Sequence, residues 1–216
     1  MPNTTENYNM QFREFVSLKF GNQRYECTIQ RPIIIFCLSK YFDAKKILDP
    51  CIGWGSRLIG ALAANCDEYV GCDPNTKLFN GYNKIKNMFD HNNIAKLHNI
   101  PFEDFEHQEN YFDMTFTSPP YCDFEIYSNE ETQSSERYQN EENWTNSFLI
   151  PMLAKSILYT KKNGIIAINI GEIFEHSYIS KMLKYMDYQN VKYLGIIPFM
   201  NVKNDVGKPI FIWKKL

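Results

Sequence analysis

Short runs rich in β-branched and aromatic residues alternate along this chain with stretches of helical period, and that alternation limits its fold more than any other feature. Strands that each return through a helix must lie parallel in one sheet, with helices covering its faces. Strands are expected at 45–49, 68–73, 94–100, 112–117, 164–170, 191–198 and 209–214. Helices are expected at 32–42, 56–65, 75–89, 141–160 and 177–188. Pro32 suits the first turn of the first helix. Asn75, after Asp73-Pro74, suits a helix cap. Pro151 should break or kink the helix it sits in. Only the short polar stretch 201–208 separates the last two strands, so they read as a hairpin. A hairpin there places one antiparallel strand on an otherwise parallel α/β sheet. Residues 122–140 are polar, acidic and poorly periodic, and read as a loop.

With 216 residues, the chain is expected to form one domain, 1–216, with a real core. Residues 1–44 are an N-terminal extension whose helix packs on the sheet, and 122–147 form an acidic loop on the substrate side. A hydrophobic fraction of 44% with 22% charged residues is that of a globular chain. No apolar run is long enough to span a membrane, and the N-terminus has no basic-then-apolar leader. An intracellular protein, cytoplasmic or nuclear, is therefore expected. Cys27, Cys37, Cys51, Cys66, Cys72 and Cys122 show no close CxxC pairing, so they read as thiols and not as a disulfide frame or zinc site. His91, His98, His107 and His176 are scattered, and no metal site is expected.

The net charge of −2 hides an asymmetry. Residues 103–142 hold twelve acidic side chains and one basic one, Arg137, whereas the chain from Lys155 onward holds ten lysines and four acids. The plain reading of the first block is a solvated acidic loop. The functional reading is that nucleic acid meets only the basic side, or that a partner subunit supplies the missing positive charge.

Two motifs carry chemistry. The first is Asp49-Pro50-Cys51-Ile52-Gly53-Trp54-Gly55, at the end of the first expected strand. Glycines there let the backbone turn tightly and approach a ligand. Asp73 ends the second strand 24 residues after Asp49, where a carboxylate can accept both hydroxyls of a ribose. Ile100-Pro101-Phe102-Glu103 follows the third strand, placed to flank an adenine ring. Either piece alone reads as a turn or a helix cap; together, at the ends of consecutive strands, they read as a nucleoside cofactor site without a pyrophosphate.

The second motif is Ser118-Pro119-Pro120-Tyr121, at the end of the fourth strand. An exocyclic amino group is a poor nucleophile because its lone pair is delocalised into the ring. Two acceptors for its N–H bonds, the Ser118 hydroxyl and the Pro119 carbonyl, would localise that lone pair. The prolines stiffen the segment and remove competing N–H donors. Tyr121 can stack on an extruded base and favour developing cationic charge. Without the first motif, this tetrapeptide would read as a turn followed by a core tyrosine.

Together these motifs resemble those of the DNA amino-methyltransferases, which use S-adenosylmethionine (SAM) to modify N4 of cytosine or N6 of adenine. The resemblance covers roughly 28–214. The family's D-P-x-x-G-x-G motif matches Asp49, Pro50, Gly53 and Gly55, and its [DNS]-P-P-[YFW] motif matches Ser118 to Tyr121. The serine form is similar to that of N4-cytosine enzymes. Thr28 and Gln30 lie in a segment resembling the one that touches the methionine end of SAM. The resemblance implies a Rossmann-like seven-stranded sheet with an antiparallel closing strand. It implies a SAM site built from Thr28, Gln30, Asp49, Pro50, Cys51, Gly53, Gly55, Asp73, Pro74, Pro101 and Phe102, with catalysis by Ser118, Pro119, Pro120 and Tyr121. Bacterial members carry a large target-recognition region, for which this chain has little room. Arg137, Tyr138 and Trp144 are the candidate substrate contacts in the acidic loop, although Trp144 reads more readily as packing for the next helix. Trp54, in place of a small residue, is either a lid or a packed ring. DNA is the favoured substrate, with RNA or another amine, or an inactive SAM-binding subunit of a larger complex, as alternatives.

Overall fold

The computed structural model describes residues 30–121, 127–138, 140–171, 177–200 and 206–216. Its seven strands are β1 (Lys46–Asp49), β2 (Glu68–Cys72), β3 (Ala95–His98), β4 (Phe112–Thr117), β5 (Thr160–Asn169), β6 (Val191–Met200) and β7 (Val206–Lys215). They form one sheet in the order β3-β2-β1-β4-β5-β7-β6. The β1–β2, β1–β4, β2–β3 and β4–β5 pairs are parallel, while β7 runs antiparallel to both β5 and β6. The α/β architecture and the antiparallel closing strand are as expected. The chain reverses direction of travel across the sheet between β1 and β4, and open α/β sheets carry their ligand crevice beyond the strand ends at such a point.

The helices are α1 (Ile33–Tyr41), α2 (Ser56–Ala63), α3 (Phe79–Phe89), the short α4 (Ser134–Arg137) and α5 (Glu141–Trp144), α6 (Ile150–Tyr159) and α7 (Tyr178–Asp187). Alternation along the strands sends successive side chains to opposite faces. Ile47, Ile165, Ala167, Ile210 and Ile212 join Ile35, Leu38, Leu58 and Ala61 of α1 and α2 in one core. Leu48, Ile166, Ile168, Phe211 and Trp213 join Trp144, Phe148, Met152, Tyr178 and Met182 in the other. Gly60 sets the distance between α1 and α2. A Cβ there would stand 2.1 Å from the Pro32 carbonyl oxygen and 2.5 Å from Ile35 Cγ2.

Three boundaries differ from expectation for local physical reasons. The expected helix 141–160 contains a π-helical segment, Thr145–Leu149, and Pro151 sits in the first turn of the α-helix that follows. Pro151 has no N–H to complete the preceding turn, so the irregularity falls before it and not at it. β5 begins four residues early, directly after α6, with a register shift between Phe112 and Met114 on its neighbour. The hairpin strands also pair beyond the expected turn boundary, through Phe199↔Gly207 and Met200↔Val206.

Candidate active site

The C-terminal ends of β1, β2 and β4 and the turn after β3 open onto one cleft. Its lining includes Pro50, Cys51, Gly53 and Trp54 after β1, Asp73, Pro74, Asn75 and Leu78 after β2, and Pro101, Phe102 and Glu103 after β3. Ser118 and Pro120 after β4 complete the inner wall, and Tyr127, Thr132, Gln133 and Ser134 contribute from the acidic loop. The two expected motifs therefore meet in a single concavity.

The first loop is built on Asp49, which is fully buried. Its Oδ1 accepts hydrogen bonds from Thr117 Oγ1 at 2.9 Å and the Cys51 N–H at 3.2 Å. Its Oδ2 accepts from Arg57 Nε at 2.7 Å and the Tyr69 hydroxyl at 2.6 Å. A carboxylate saturated by four donors is a structural post. Asp49 is not among the cleft-lining residues, and it shapes the loop from beneath. Arg57, from the first turn of α2, also donates to the Cys51 carbonyl and to Gln30 Oε1, the latter at 2.8 Å. Gln30 in turn donates to Asn169 Oδ1 at 2.9 Å, so it ties β5 to the loop and does not line the cleft. Thr28 lies outside the described residues. Above Asp49 the backbone takes positive φ at Gly53 (62°) and Gly55 (80°). Side chains rarely adopt that conformation. At Gly55 a Cβ would also stand 2.7 Å from Ile85 Cδ1, so this glycine lets α3 close under the loop.

Asp73 faces the cleft. Its Oδ2 accepts the Gly53 N–H at 2.8 Å and its Oδ1 the Asn75 N–H at 2.9 Å, so it clamps the first loop to the second. Burial pushes its carboxyl up to about 6. The Asn75 and Gly53 N–H groups and the Tyr82 hydroxyl oppose that rise, and the nearby charge of Asp49 adds to it. Burial, with the charges of Asp49 and Asp73, holds the Cys51 thiol well above its ordinary range. It is a neutral wall and not a nucleophile. Phe102 is 2% exposed and lines the apolar end of the cleft.

The tetrapeptide is divided. Ser118 and Pro120 line the cleft, whereas Pro119 and Tyr121 are buried and are not among its lining. Tyr121, expected as a stacking platform, is 2% exposed. Its hydroxyl accepts the Gly171 N–H at 2.9 Å, and the Lys208 ammonium stands 4.0 Å from its ring centre. Trp54, at 48% exposure, is a rim residue and not a packed ring. Trp144 is fully buried against Phe148 and Tyr178, so it packs the core and presents nothing to a substrate.

Arg137 and Tyr138 bond within the protein. The Arg137 guanidinium stands 3.1 Å from Asp104 and 3.9 Å from Glu103, and the Tyr138 hydroxyl donates to Glu103 at 2.8 Å. The preceding residues are held at their other end by Glu130, which accepts from the Thr76 N–H at 3.1 Å and the Thr76 hydroxyl at 3.0 Å. Arg57, Tyr69, Thr117, Glu130 and Gln133 were not identified from sequence. The available signal was that a buried Asp49 needs donors, but those donors come from three other elements. Among the described residues, no cluster of His, Cys, Asp and Glu could hold a metal ion. No helix among them is long and apolar enough to cross a membrane.

This strand order and closing hairpin are those of the Rossmann-like SAM-dependent methyltransferases, and the chain has that fold. A tRNA methyltransferase from Aquifex aeolicus superposes with a TM-score of 0.59 at 12% identity, covering 93% of this chain and 75% of that one. A SAM-dependent O-methyltransferase from Thermotoga maritima gives 0.58 at 10% identity, over 90% and 69% of the two chains. A Streptococcus mutans protein solved with S-adenosylhomocysteine (SAH) gives 0.58 at 13% identity, over 88% and 100%. No protein-family model matches the sequence, and no curated protein matches it.

Proposed function

We propose that this chain is a SAM-dependent methyltransferase acting on an exocyclic amino group of a nucleobase, with N4 of cytosine in DNA as the leading acceptor. The observation that carries this reading is that Ser118 and Pro120 share one cleft with Cys51, Gly53, Asp73 and Phe102. The residues fit the cofactor. Two positive-φ glycines allow close backbone approach, Asp73 offers carboxylate lone pairs to ribose hydroxyls, and Pro101, Phe102 and Leu78 offer apolar walls to a purine. When bound, SAM supplies an electrophilic methyl group on a sulfonium. Of the chain's own residues, the Ser118 hydroxyl accepts one N–H of the amine, while Pro119, whose carbonyl was expected to take the other, is buried outside the cleft lining. Alignment of the amine then supplies most of the acceleration. The base would have to leave its stack to reach Ser118.

A second reading, the same transfer onto an amine outside nucleic acid, draws support from Glu131 and Glu136, both exposed on the cleft-side loop. The test is methyl transfer from labelled SAM to single- and double-stranded DNA and to RNA, followed by nucleoside digestion and mass spectrometry. N4-methylcytosine in DNA is the expected product. N6-methyladenine would keep the reaction class and change the base. Label in RNA alone would move the substrate class. SAH binding with no label on any nucleic acid would favour the second reading.

A further inference from the structure

Residues 127–138, part of the acidic loop, span the end of the cleft between Asp73 and Phe102. Glu130 fastens it to Thr76, just after Asp73, and Arg137 and Tyr138 fasten it to Asp104 and Glu103, just after Phe102. Between these anchors Gln133 lines the cleft while being 7% exposed. Its Nε2 is shut off from solvent and has no hydrogen-bond partner. A buried carboxamide donor left unpaired is costly, and an acceptor brought by a ligand would relieve that cost.

We propose that residues 127–138 are a strap over the cofactor's nucleoside half, and that the Gln133 carboxamide donates a hydrogen bond to a purine nitrogen or ribose oxygen of the bound cofactor. This rests on the nucleoside-cofactor reading above. The strap makes the site a three-walled slot. The β2 turn carries Asp73, the β3 turn carries Phe102, and the strap supplies the outer wall and one donor. The acids expected to repel a substrate are in part consumed in holding this wall, since Glu103, Asp104 and Glu130 all bond within the protein. The anchors at Thr76, Glu103 and Asp104 hold this outer wall in place, so weakening one is expected to speed the cofactor's release.

The experiment is isothermal titration of the full chain with SAH and, separately, with adenosine and with methionine, together with thermal unfolding with and without SAH. Gln133→Met keeps the side-chain length and removes the donor. It is expected to weaken SAH and adenosine about three- to tenfold, to leave methionine unchanged, and to hold or raise the melting temperature of the free protein. Arg137→Ala is expected to speed SAH dissociation by a similar factor in stopped flow. Unchanged SAH affinity in Gln133→Met, with the wild type binding SAH, overturns the inference alone. Failure of the wild type to bind SAH overturns the cofactor reading and this inference with it.

Discussion

Asp73 does two opposed things, and pH separates them. Its carboxyl is held at about 6 in the folded chain, chiefly by burial. An acid whose folded value lies above its unfolded value favours the folded state when protonated, so its contribution to stability is lost as pH rises from about 4 through 6. Ribose hydroxyls, however, donate to the ionised form. SAH affinity should therefore rise with pH through about 6 and level off above 7, being about tenfold weaker at pH 5 than at pH 7.5. Cys51, which also lines the cleft, has its thiol pushed well above its ordinary range and stays protonated throughout, so it does not contribute to this profile. Calorimetry of SAH binding across that range is the measurement, and Asp73→Asn should flatten the profile; a flat wild-type profile would remove Asp73 from the ligand. Ser118 is tested differently. Ser118→Ala should lower kcat about tenfold through the loss of one acceptor, with SAH affinity unchanged. The sequence marked Asp49, Gly53, Asp73 and Ser118 because each sits at a strand end, where spacing alone places it. It did not mark Tyr69 and Thr117, because their pairing with Asp49 is fixed only by the β1–β2 and β1–β4 registers, nor Arg57, because its reach depends on how α2 lies against β1.

At the scale of elements, the α1–α2 contact supports the loop from behind. α2 carries Arg57 into Asp49, and α1 holds α2 in place through the Gly60 approach. A methyl group at Gly60 would collide with the Pro32 carbonyl, which is backbone and cannot swing aside. Gly60→Ala gains helix propensity but should still destabilise the protein by about 2 kcal/mol through this clash. Urea denaturation measures it, and a neutral or stabilised variant would show that α1 docks loosely. Elements with strong periodicity, such as β4 and the strands of the closing hairpin, were legible in the sequence within a few residues. The π segment Thr145–Leu149 was not, because its cause, a missing N–H at Pro151, acts one turn away from its effect. The strap was not legible either. Residues 127–138 have no apolar period, and their path is set by side-chain anchors on Thr76, Glu103 and Asp104 that only the fold brings near. Hence residues chosen as substrate contacts for their chemistry, Arg137 and Tyr138, prove to be fasteners.

At the scale of the whole molecule, a group of lysines among the described residues lies at the end of the sheet opposite the cleft. Lys45 precedes and Lys46 begins β1, Lys161 and Lys162 lie at the start of β5, Lys192 lies at the start of β6, and Lys214 and Lys215 end the antiparallel β7. The pairing of Lys192 with Lys214, and the Lys161 ion pair with Asp113 near the start of β4, put these charges at the strands' N-terminal edge. The cleft is at the C-terminal edge, where the cations Arg31, Lys77, Arg137 and Lys208 are accompanied by Glu103, Asp104, Glu130, Glu131 and Glu136. Arg137 is committed to the strap, and Lys208 lies over the Tyr121 ring. Among the described residues, a nucleic acid delivering a base to Ser118 therefore meets few uncompensated positive charges. Each neutralised phosphate of a single strand contributes about −0.7 to the slope of log affinity against log salt. Two to four contacts give a magnitude below about 3, so affinity for an oligonucleotide should be weak and only shallowly dependent on salt. Binding measured from 50 to 300 mM salt tests this distribution. A slope of about 6 or steeper would require the lysine edge to bind phosphate, and the substrate strand would then wrap from that edge to the cleft. A shallow slope with efficient transfer means that the acceptor is held by its base and by the cleft itself.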